Sequence, residues 1–424
     1  MINKLKPWNP VKVKSEFSRN VLTLMTGTTI AQAIPIAISP ILTRMYTPEE
    51  FGVFALYLSI IMLFSSVVAG KYELSILIPK HEKDAKSLVL LSISISFIVS
   101  LVLFIITLIF IEQIISLLKN NDIRYWLYLA PINIFIISTV SILYYYNNRN
   151  KNYRSLSSNQ ILQSSTQGFT NIIFGFITSL KSGLILGTFL GNVSSFFYLI
   201  FKTKKYFKDF SFNKYRLYIL SKKYIKFPKF MIVSGFLENL SAQLPVFMIS
   251  SFFGSYILGL FSLSQRIVKV PLGIIGSSIG NVFRQEAAKH LNENGTCRKL
   301  FVNTLKKLLI ISTIPFILFY FIAPELFGFV FGKEWYKAGE YAQILTILFY
   351  FQFITSPLSN MFMIAQKQQY DLILQIYLVI SVFCSFIIGY KIFNSIEYSL
   401  YIFTTFYSIK YFIELTLSYK FTLK

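Results

Sequence analysis

"GLFSLSQRIVKVPLGIIGSSIG", residues 259–280, has the length and the apolar, small-residue composition of a membrane-spanning helix. A helix needs about 20 mostly apolar residues to cross a bilayer. Arg266 and Lys269 are three residues apart, so both lie on one face of such a helix, and the stretch contains no acidic residue. The stretch therefore predicts a membrane helix with a cationic face.

The same apolar character continues through the whole chain. Of its 424 residues, 54% are hydrophobic and only 14% are charged, whereas a soluble globular domain carries about 25% charged residues. The apolar residues form blocks long enough to span a bilayer at residues 20–43, 51–79, 87–111, 125–147, 156–178, 182–202, 227–253, 256–283, 301–323, 337–364, 369–390 and 396–419. The sequence predicts an all-α, multi-pass membrane protein with twelve transmembrane helices.

The basic residues are divided unevenly between the two sides of the predicted bundle. Of 41 Lys and Arg residues, 30 fall on the side of the N-terminus, 7 on the opposite side and 4 inside spans. Cytoplasmic loops carry such an excess, so both termini are predicted to be cytoplasmic and the protein to lie in a cytoplasmic (inner-type) membrane. The net charge of +23 is then an orientation signal with some attraction to membrane lipid, and nucleic acid is excluded as a partner.

Trp335 and Tyr336 are assigned to the outer aromatic belt.

Residues that bind metals or form disulfides are few. Cys297 and Cys384 lie far apart without metal-type spacing, and His81 and His290 fall in predicted polar loops. No disulfide, metal site or cofactor is expected.

"AQA" at 31–33 follows a basic start and an apolar run, so a cleaved signal peptide is an alternative. The polar leader before it is long for such a peptide, and the first span is expected to remain in the protein.

The beginning and the middle of the chain resemble each other. Residues 31–60 align with residues 241–267, each with Gln and Pro in one span, a short outer loop, and "FGVFAL" or "LGLFSL" opening the next span. The most basic loop, residues 202–229, separates six predicted spans from six, so the pattern predicts two parallel lobes, residues 1–201 and 230–424. Repeated halves are typical of transporters whose substrate path lies between them and opens alternately to each side.

Five stretches carry a family resemblance: "LTRMYTPEEFGVFALY" (42–57), "GKYELSILIPK" (70–80), "SLSQRIVKVPLGIIGSSIGNVFRQEAAK" (262–289), "FGKEWYKAGEYAQIL" (331–345) and "FQFITSPLSNMFMIAQKQQ" (351–369). They resemble the bacterial polysaccharide biosynthesis family, the Wzx-type O-antigen and capsule flippases of the multidrug/oligosaccharidyl-lipid/polysaccharide exporter superfamily. The resemblance implies two six-helix lobes that move an undecaprenyl-pyrophosphate-linked glycan, a repeat unit of lipopolysaccharide O-antigen or of capsule, to the outer leaflet. It also implies H+ or Na+ as coupling ion, with a polymerase and a chain-length regulator as candidate partners.

Arg266 and Lys269 are the main candidates for substrate binding. Counted from residue 256, they lie about 15 and 20 Å deep in a hydrocarbon layer roughly 30 Å thick. Cations are costly there unless they face a partner or a wet cavity, and a guanidinium with an ammonium suits the oxygens of a pyrophosphate. Pairing with acids of neighbouring helices and snorkelling are the alternatives. Glu238, at similar depth in the seventh span, is the expected charge partner of Arg266 or a protonatable ion-coupling group.

Three other charges have simpler explanations. Lys410 and Glu414 are four residues apart on the last span and are expected to form a structural pair, with ion coupling as the alternative. Arg44, at the outer end of the first span, is a candidate for substrate contact. Pairing with Glu49 or Glu50 would explain Arg44 equally well.

Lys71 and Glu73 fall about 30 Å along the second span at 1.5 Å per residue, close to the cytoplasmic surface, where a Lys can snorkel. Because they are two residues apart, they do not share a helix face. Their place in the family-like stretch suggests an inner gate or a headgroup contact, with Lys71 binding substrate and Glu73 as a charge partner. Interfacial anchoring is the other interpretation.

Two other functions are weaker alternatives. A multidrug or cation antiporter of the same superfamily would be expected to line its path with acids, whereas the deep charged groups of the eighth span are cations. A membrane glycan polymerase or ligase places catalytic residues on a long outer loop. The predicted outer loops are short and contain no His, so the protein is expected not to be an enzyme.

Overall fold

The structure, a computed structural model, describes residues 16–177, 183–208, 213–269 and 272–423. The first half of the chain forms helices α1 (Glu16–Met45), α2 (Pro48–Ser65), α3 (Glu82–Leu118), α4 (Arg124–Arg149), α5 (Tyr153–Phe176) and α6 (Gly183–Lys204). A short helix, α7 (Lys214–Lys223), follows. The second half forms α8 (Ile232–Val268), α9 (Ser277–Asn294), α10 (Arg298–Phe331), α11 (Tyr336–Leu358), α12 (Met361–Ile364), α13 (Gln368–Lys391) and α14 (Ile396–Lys420). The predicted all-α class is confirmed.

Nine helical segments of the described chain are long and apolar enough to cross a bilayer, as expected for a multi-pass membrane protein. The predicted spans in α5 and α14 are not among them, and half of the α5 residues are Ser, Thr, Asn or Gln. α8 has 37 residues, about 55 Å at 1.5 Å per residue, and Gly254 interrupts it with a non-helical backbone (φ 84°, ψ 176°). α8 thus contains most of the seventh predicted span and the first part of the eighth, and the number twelve stays a prediction.

The second predicted span, residues 51–79, is only partly helical. α2 ends at Ser65, and Gly70 and Lys71 both take positive φ values, 66° and 58°, before a short 3-10 turn. Positive φ is a conformation that ends an α-helix and is costly for a residue with a side chain. Lys71 and Glu73 therefore lie on an irregular connection at one end of the bundle, and the prediction that places them on a membrane helix is wrong.

The eighth predicted span, residues 256–283, does not correspond to a single described helix. α8 ends at Val268, and after Lys269 the described chain resumes in a π-helical turn, Leu272–Gly276, that leads into α9. The N–H of Gly273 donates to the carbonyl oxygen of Lys269 at 3.2 Å. Lys269 therefore lies at the junction of α8 and the π-helical turn, with its carbonyl group paired.

Amide side chains connect four helices of the first half. Gln163 of α5 donates to the Oδ1 atom of Asn192 of α6 at 2.7 Å. Asn192 in turn donates to Oδ1 of Asn133 of α4 at 2.9 Å, and Asn133 donates to the hydroxyl of Tyr57 of α2 at 3.2 Å. Asn192, Asn133 and Tyr57 are buried. Hydrogen bonds between buried side chains are a common means of holding membrane helices together, so this amide ladder links α2, α4, α5 and α6.

The two halves contact each other mainly through α2 and α8, with a smaller contact between α1 and α10. The α1–α2 and α10–α11 connections lie at what we call the outer end of the bundle, because the charge distribution predicts that this end faces away from the cytoplasm. The inner end is the opposite one, which carries the α2–α3 connection. The space between the halves is thus bounded by contacts at both ends.

Candidate functional site

A cavity of about 410 Å³ lies between the two halves. One wall belongs to α1 and α5, and the other belongs to the end of α8 and the turn after it. The lining residues are Ala31, Gln32, Pro35, Ile36, Ser164, Arg266, Lys269 and Gly273. The two cations of the eighth predicted span therefore face one common space, which we call the cationic cavity.

Two prolines shape the α1 wall of the cationic cavity. Pro35 and Pro40 have no backbone N–H, so the carbonyl groups of Ala31 and Ile36, four residues earlier, lack their helical donor. Both Ala31 and Ile36 line the cavity. Together with the exposed Gln32 amide, this wall offers hydrogen-bonding groups that carry no charge.

Arg266 and Lys269 are held by uncharged partners. The Arg266 Nη2 atom donates to the carbonyl oxygen of Pro35 across the cavity at 3.2 Å. The Lys269 Nζ atom donates to Oε1 of Gln265 at 2.7 Å and lies 5.7 Å from the ring centroid of Phe349, a cation–π contact. Each cation has further N–H donors, and Lys269 is exposed, so an anion in the cavity would meet hydrogen-bond donors from both side chains.

No acid among the described residues pairs with these two cations. The ion pairs within 4 Å are Arg124–Glu112, Arg149–Glu82, Arg216–Asp84, Lys337–Glu340, Lys337–Glu397 and Lys410–Glu414. Glu238, the predicted partner of Arg266, is exposed on α8 and is not paired with Arg266 in this conformation. Uncompensated cations inside a membrane bundle attract anions, so the electrostatics of the cavity favour an anionic ligand.

Backbone contacts close the space between the halves at the outer end. A Cβ atom on Gly52 of α2 would lie 1.9 Å from the carbonyl oxygen of Ser255, and a Cβ atom on Gly259 of α8 would lie 1.7 Å from that of Pro48. Any side chain at either position would push the two helices apart, whereas glycine permits the close packing that small residues give to membrane helices. We call this contact the outer seal.

Trp335 connects the halves beside the outer seal. Its indole Nε1 donates to the carbonyl oxygen of Thr43 of α1 at 3.0 Å. Its ring meets the ring of Phe51 edge-on with centroids 5.0 Å apart, and the residue is only 1% exposed. The prediction that Trp335 belongs to an aromatic belt is therefore wrong, because the indole is buried between helices. Tyr336, by contrast, is exposed.

The halves are joined at the inner end by side-chain contacts of Lys71 and its neighbour Tyr72. A Cβ atom on Gly235 of α8 would lie 3.1 Å from the Lys71 Nζ atom, so the ammonium group lies directly against the α8 backbone. The hydroxyl of Tyr72 donates to the carbonyl oxygen of Ser221 in α7 at 2.9 Å. Long side chains can rotate away without moving a helix. The inner end is therefore held by contacts that open more easily than the outer seal.

Glu73 is buried next to this inner contact. It is 7% exposed, and its Oε2 atom has no hydrogen-bond partner among the described residues. Burial raises the pKa of the Glu73 carboxyl above its ordinary value, while the positive charge of Lys71 acts in the opposite direction. Arg149 fixes the chain that follows by donating to three backbone carbonyls in residues 76–79. Burial therefore shifts the balance of the Glu73 carboxyl toward its protonated form in this conformation.

Two other predicted sites lie outside the cationic cavity. Lys410 and Glu414 contact each other on α14, with Nζ and Oε2 2.6 Å apart and side chains only 6% and 8% exposed. Arg44 is exposed at the outer end of α1. Neither the pair nor Arg44 lines the cavity, so the predicted substrate contact of Arg44 and the predicted roles of the pair stay predictions.

The sequence did not single out the uncharged wall of the cavity. Gln32 and Ser164 carry no charge, and polar residues of this kind also occur where helices merely pack. A signal was present, because Gln32 and Pro35 belong to the repeated pattern of residues 31–60, and Ser164 falls in the most polar of the predicted spans. What was missing is the juxtaposition of α1 with the end of α8, which depends on the fold.

Residues 41–340 match the family described as Polysaccharide biosynthesis protein. The chain belongs to this family. It is 22% identical over 235 residues to the teichuronic acid biosynthesis protein TuaB of Bacillus subtilis, covering 53% of this chain and 48% of the relative. It is also 22% identical over 337 residues to the succinoglycan biosynthesis transport protein ExoT of Rhizobium meliloti, covering 78% of this chain and 65% of the relative. The chain thus spans about half and about two thirds of the lengths of these relatives.

The fold of this polysaccharide biosynthesis family member is that of known membrane transporters. The lipid II flippase MurJ in its inward closed conformation is similar with a TM-score of 0.75, at 14% identity over 95% of this chain and 87% of that one. A multidrug resistance MATE family transporter in its inward-facing conformation is similar with a TM-score of 0.59, at 14% identity over 93% of each chain. Family and fold confirm the resemblance that the sequence motifs predict.

Proposed function

We propose that this protein flips an undecaprenyl-pyrophosphate-linked oligosaccharide from the inner to the outer leaflet of the cytoplasmic membrane by alternating access. One observation carries the proposal: Arg266 and Lys269 face a cavity between the two halves, and no acid among the described residues pairs with them. A path for organic cations would present the opposite charge, which disfavours the antiporter alternative. Membership of the polysaccharide biosynthesis family supports a glycan as the cargo.

The cationic cavity suits the two chemical parts of such a headgroup. A guanidinium binds two oxygens of a phosphate in its plane, and an ammonium binds as a compact charge. The uncharged wall formed by Gln32, Ser164 and the carbonyl groups of α1 suits sugar hydroxyls. An incoming pyrophosphate replaces the carbonyl of Pro35 as the partner of Arg266, and this exchange removes a bond between the halves. Substrate binding thereby favours their separation.

Transport in reconstituted vesicles tests this function directly. The probe is a fluorescent undecaprenyl-pyrophosphate-linked sugar, and its arrival in the opposite leaflet is followed with a membrane-impermeant quencher. We expect the protein to accelerate the movement of this lipid-linked sugar between the leaflets. The same glycan on an uncharged polyprenol is expected to cross at the rate seen without protein. Equal acceleration of the charged and uncharged lipids would contradict the proposal, since the cations would then contribute nothing.

Ion coupling is assigned within this proposal to Glu73 at the inner end, with H+ as the coupling ion. Burial in the closed conformation favours the protonated carboxyl, and opening the inner end would expose it to water beside Lys71, which favours loss of the proton. The closed inner end is therefore favoured as the pH falls through the raised pKa and disfavoured above it. Tyr145 of α4 also faces this carboxyl.

A polymerase and a chain-length regulator of the same pathway are the expected protein partners. The lipid of the surrounding membrane is the other expected partner.

The variant Glu73→Gln tests the coupling. Glutamine keeps the shape of the side chain and cannot ionise, so transport by the variant is expected to become independent of an imposed pH gradient. The transport rate of the parent protein is expected to change several-fold with the gradient. The measurement is the vesicle assay with the gradient applied in either direction and with Na+ present or absent. Glu238→Gln is the matched comparison. Loss of coupling in Glu238→Gln and not in Glu73→Gln would transfer the role to Glu238.

A further inference from the structure

An apolar groove of about 480 Å³ runs between α10 and α11 of the second half. Its walls include Phe316, Ile317, Tyr320, Phe321 and Tyr350. The hydroxyls of Thr313 and Tyr350 lie 3.0 Å apart and hydrogen-bond to each other, and most of the surface of the groove is apolar. We call it the aromatic groove.

The aromatic groove continues toward the cationic cavity. Phe316 also lines a smaller hollow of about 160 Å³, together with Ile267, Val268, Pro315 and Phe319. Ile267 and Val268 are the two residues between Arg266 and Lys269. They cover the other faces of the helix turn that presents the two cations, so this hollow, which shares Phe316 with the groove, lies on the opposite side of that turn from the cationic cavity.

Two further observations join the groove to the cations. The Lys269 ammonium lies over the ring of Phe349, whose neighbour in the chain, Tyr350, lines the groove. At 1.5 Å per residue, Ile267 lies about 20 Å along α8 from the break at Gly254. Phe316 and Tyr350 lie about 20 Å from the outer ends of α10 and α11. The groove is therefore at the same depth in the bundle as the cationic cavity.

We propose that the aromatic groove binds the polyisoprenoid chain of the lipid carrier while its pyrophosphate is held by Arg266 and Lys269. The inference rests on the proposed function and adds a second binding site to it. A headgroup in the middle of the bundle requires its tail to leave sideways at the same depth, and the groove offers an apolar surface there. Methyl branches and double bonds along an isoprenoid chain pack against aromatic faces, which contribute the large contact area of such rings.

Photo-crosslinking shows where the chain lies. The probe is an undecaprenyl diphosphate with a diazirine within its isoprenoid chain, added to the purified full-length protein in lipid nanodiscs and mapped by mass spectrometry. We expect labels in residues 313–321 and 346–350. Labels spread over all lipid-facing helices, or concentrated elsewhere, would overturn the proposal and would identify ordinary membrane lipid as the occupant of the groove.

The same probe as a free alcohol separates this proposal from the proposed function. If the pyrophosphate is held at the cations, labelling of the groove is expected to fall at least fivefold for the alcohol and in Arg266→Glu. Unchanged labelling in both cases would support the groove and contradict the anion site. Diphosphate-dependent labelling that maps to another surface would support the anion site and overturn the groove.

A matched pair of substitutions tests the groove by affinity. Ile317→Trp fills the aromatic groove, and Ile132→Trp fills a similar apolar hollow of about 260 Å³ between α3 and α4; the two isoleucines are 51% and 46% exposed. We expect Ile317→Trp to weaken undecaprenyl diphosphate binding at least fivefold, to leave geranyl diphosphate binding unchanged, and to slow transport. Ile132→Trp is expected to change none of these. Equal effects of the two variants, or no effect of Ile317→Trp, would overturn the proposal.

Discussion

Replacing Gly259 with alanine is expected to abolish transport and to leave the bundle open at its outer end. The added Cβ atom would lie 1.7 Å from the carbonyl oxygen of Pro48, about half the normal contact distance between carbon and oxygen. That oxygen belongs to a backbone and cannot rotate away, so α2 and α8 must separate. A transporter that cannot close one side cannot complete its cycle. We expect a more than tenfold loss of transport, and Gly52→Ala should behave in the same way.

Cysteine accessibility measures this effect. Gln32→Cys, introduced into the cationic cavity, is labelled from outside by a membrane-impermeant maleimide only when the outer end is open. Labelling is expected to be slow in the parent and fast in Gly259→Ala. Gly276→Ala is the matched control, because a Cβ atom there meets nothing within 4 Å and alanine favours a helix by about 1 kcal/mol. Normal transport in Gly259→Ala with slow outside labelling would show that α2 and α8 do not seal the path.

Charge reversal of Arg266 is expected to have the second large effect. A glutamate would replace a donor to the proposed pyrophosphate with a repelling charge about 15 Å deep in the bundle. Losing one partner of a desolvated charge pair costs about 2–5 kcal/mol, which corresponds to a drop of at least thirtyfold in substrate affinity. Arg266→Lys keeps the charge and loses the planar donor geometry, so it should retain an intermediate activity.

The measurement for Arg266→Glu is the vesicle assay together with display of glycan at the cell surface. Membrane levels of the variant are measured in parallel, because a protein that does not insert cannot report on the cavity. Arg154→Glu, an exposed position near the inner end and outside the cavity, is the matched control and should transport normally. Full surface glycan in cells that carry Arg266→Glu would exclude the cavity as the anion site.

The two cations could be found from the sequence, because a charge within an apolar run is costly in lipid and requires a polar environment. Their contacts could not be found in the same way. The partner of Arg266 is the backbone carbonyl of Pro35, more than 200 residues earlier in the chain. Every residue has a carbonyl group, so no residue type marks such a partner. Only the packing of α1 against the end of α8 selects it.

The irregular connection after α2 shows a second limit of sequence analysis. Residues 74–79 are almost as apolar as the helix before them, and an apolar run of this length does not distinguish a helix from a buried turn. The helix ends because Gly70 and Lys71 take positive φ. Glycine allows this conformation, but Lys71 adopts it against its local preference because the tertiary structure requires it. Hydropathy therefore identified the second span but predicted its helix to end at residue 79, whereas α2 ends at Ser65.

Trp335 shows a third limit. Its position at the end of a span fits an interfacial belt, and its indole group could hydrogen-bond either to lipid headgroups or to protein. The structure gives it the carbonyl of Thr43 and the ring of Phe51 as partners. Both partners are in the first half of the chain, and local sequence carries no information about them.

The depth of the two cations has an electrical consequence. A bacterial cytoplasm is negative relative to the outside, so an anion that leaves it moves in the direction favoured by the membrane potential. Moving one elementary charge across 100 mV is worth about 2.3 kcal/mol. Because Arg266 and Lys269 are fixed near the middle of the bundle, each negative charge of the cargo gains about half of this work on entering the cavity and the other half on leaving it. If the cargo is the proposed pyrophosphate-linked glycan, the voltage therefore assists both its loading and its release.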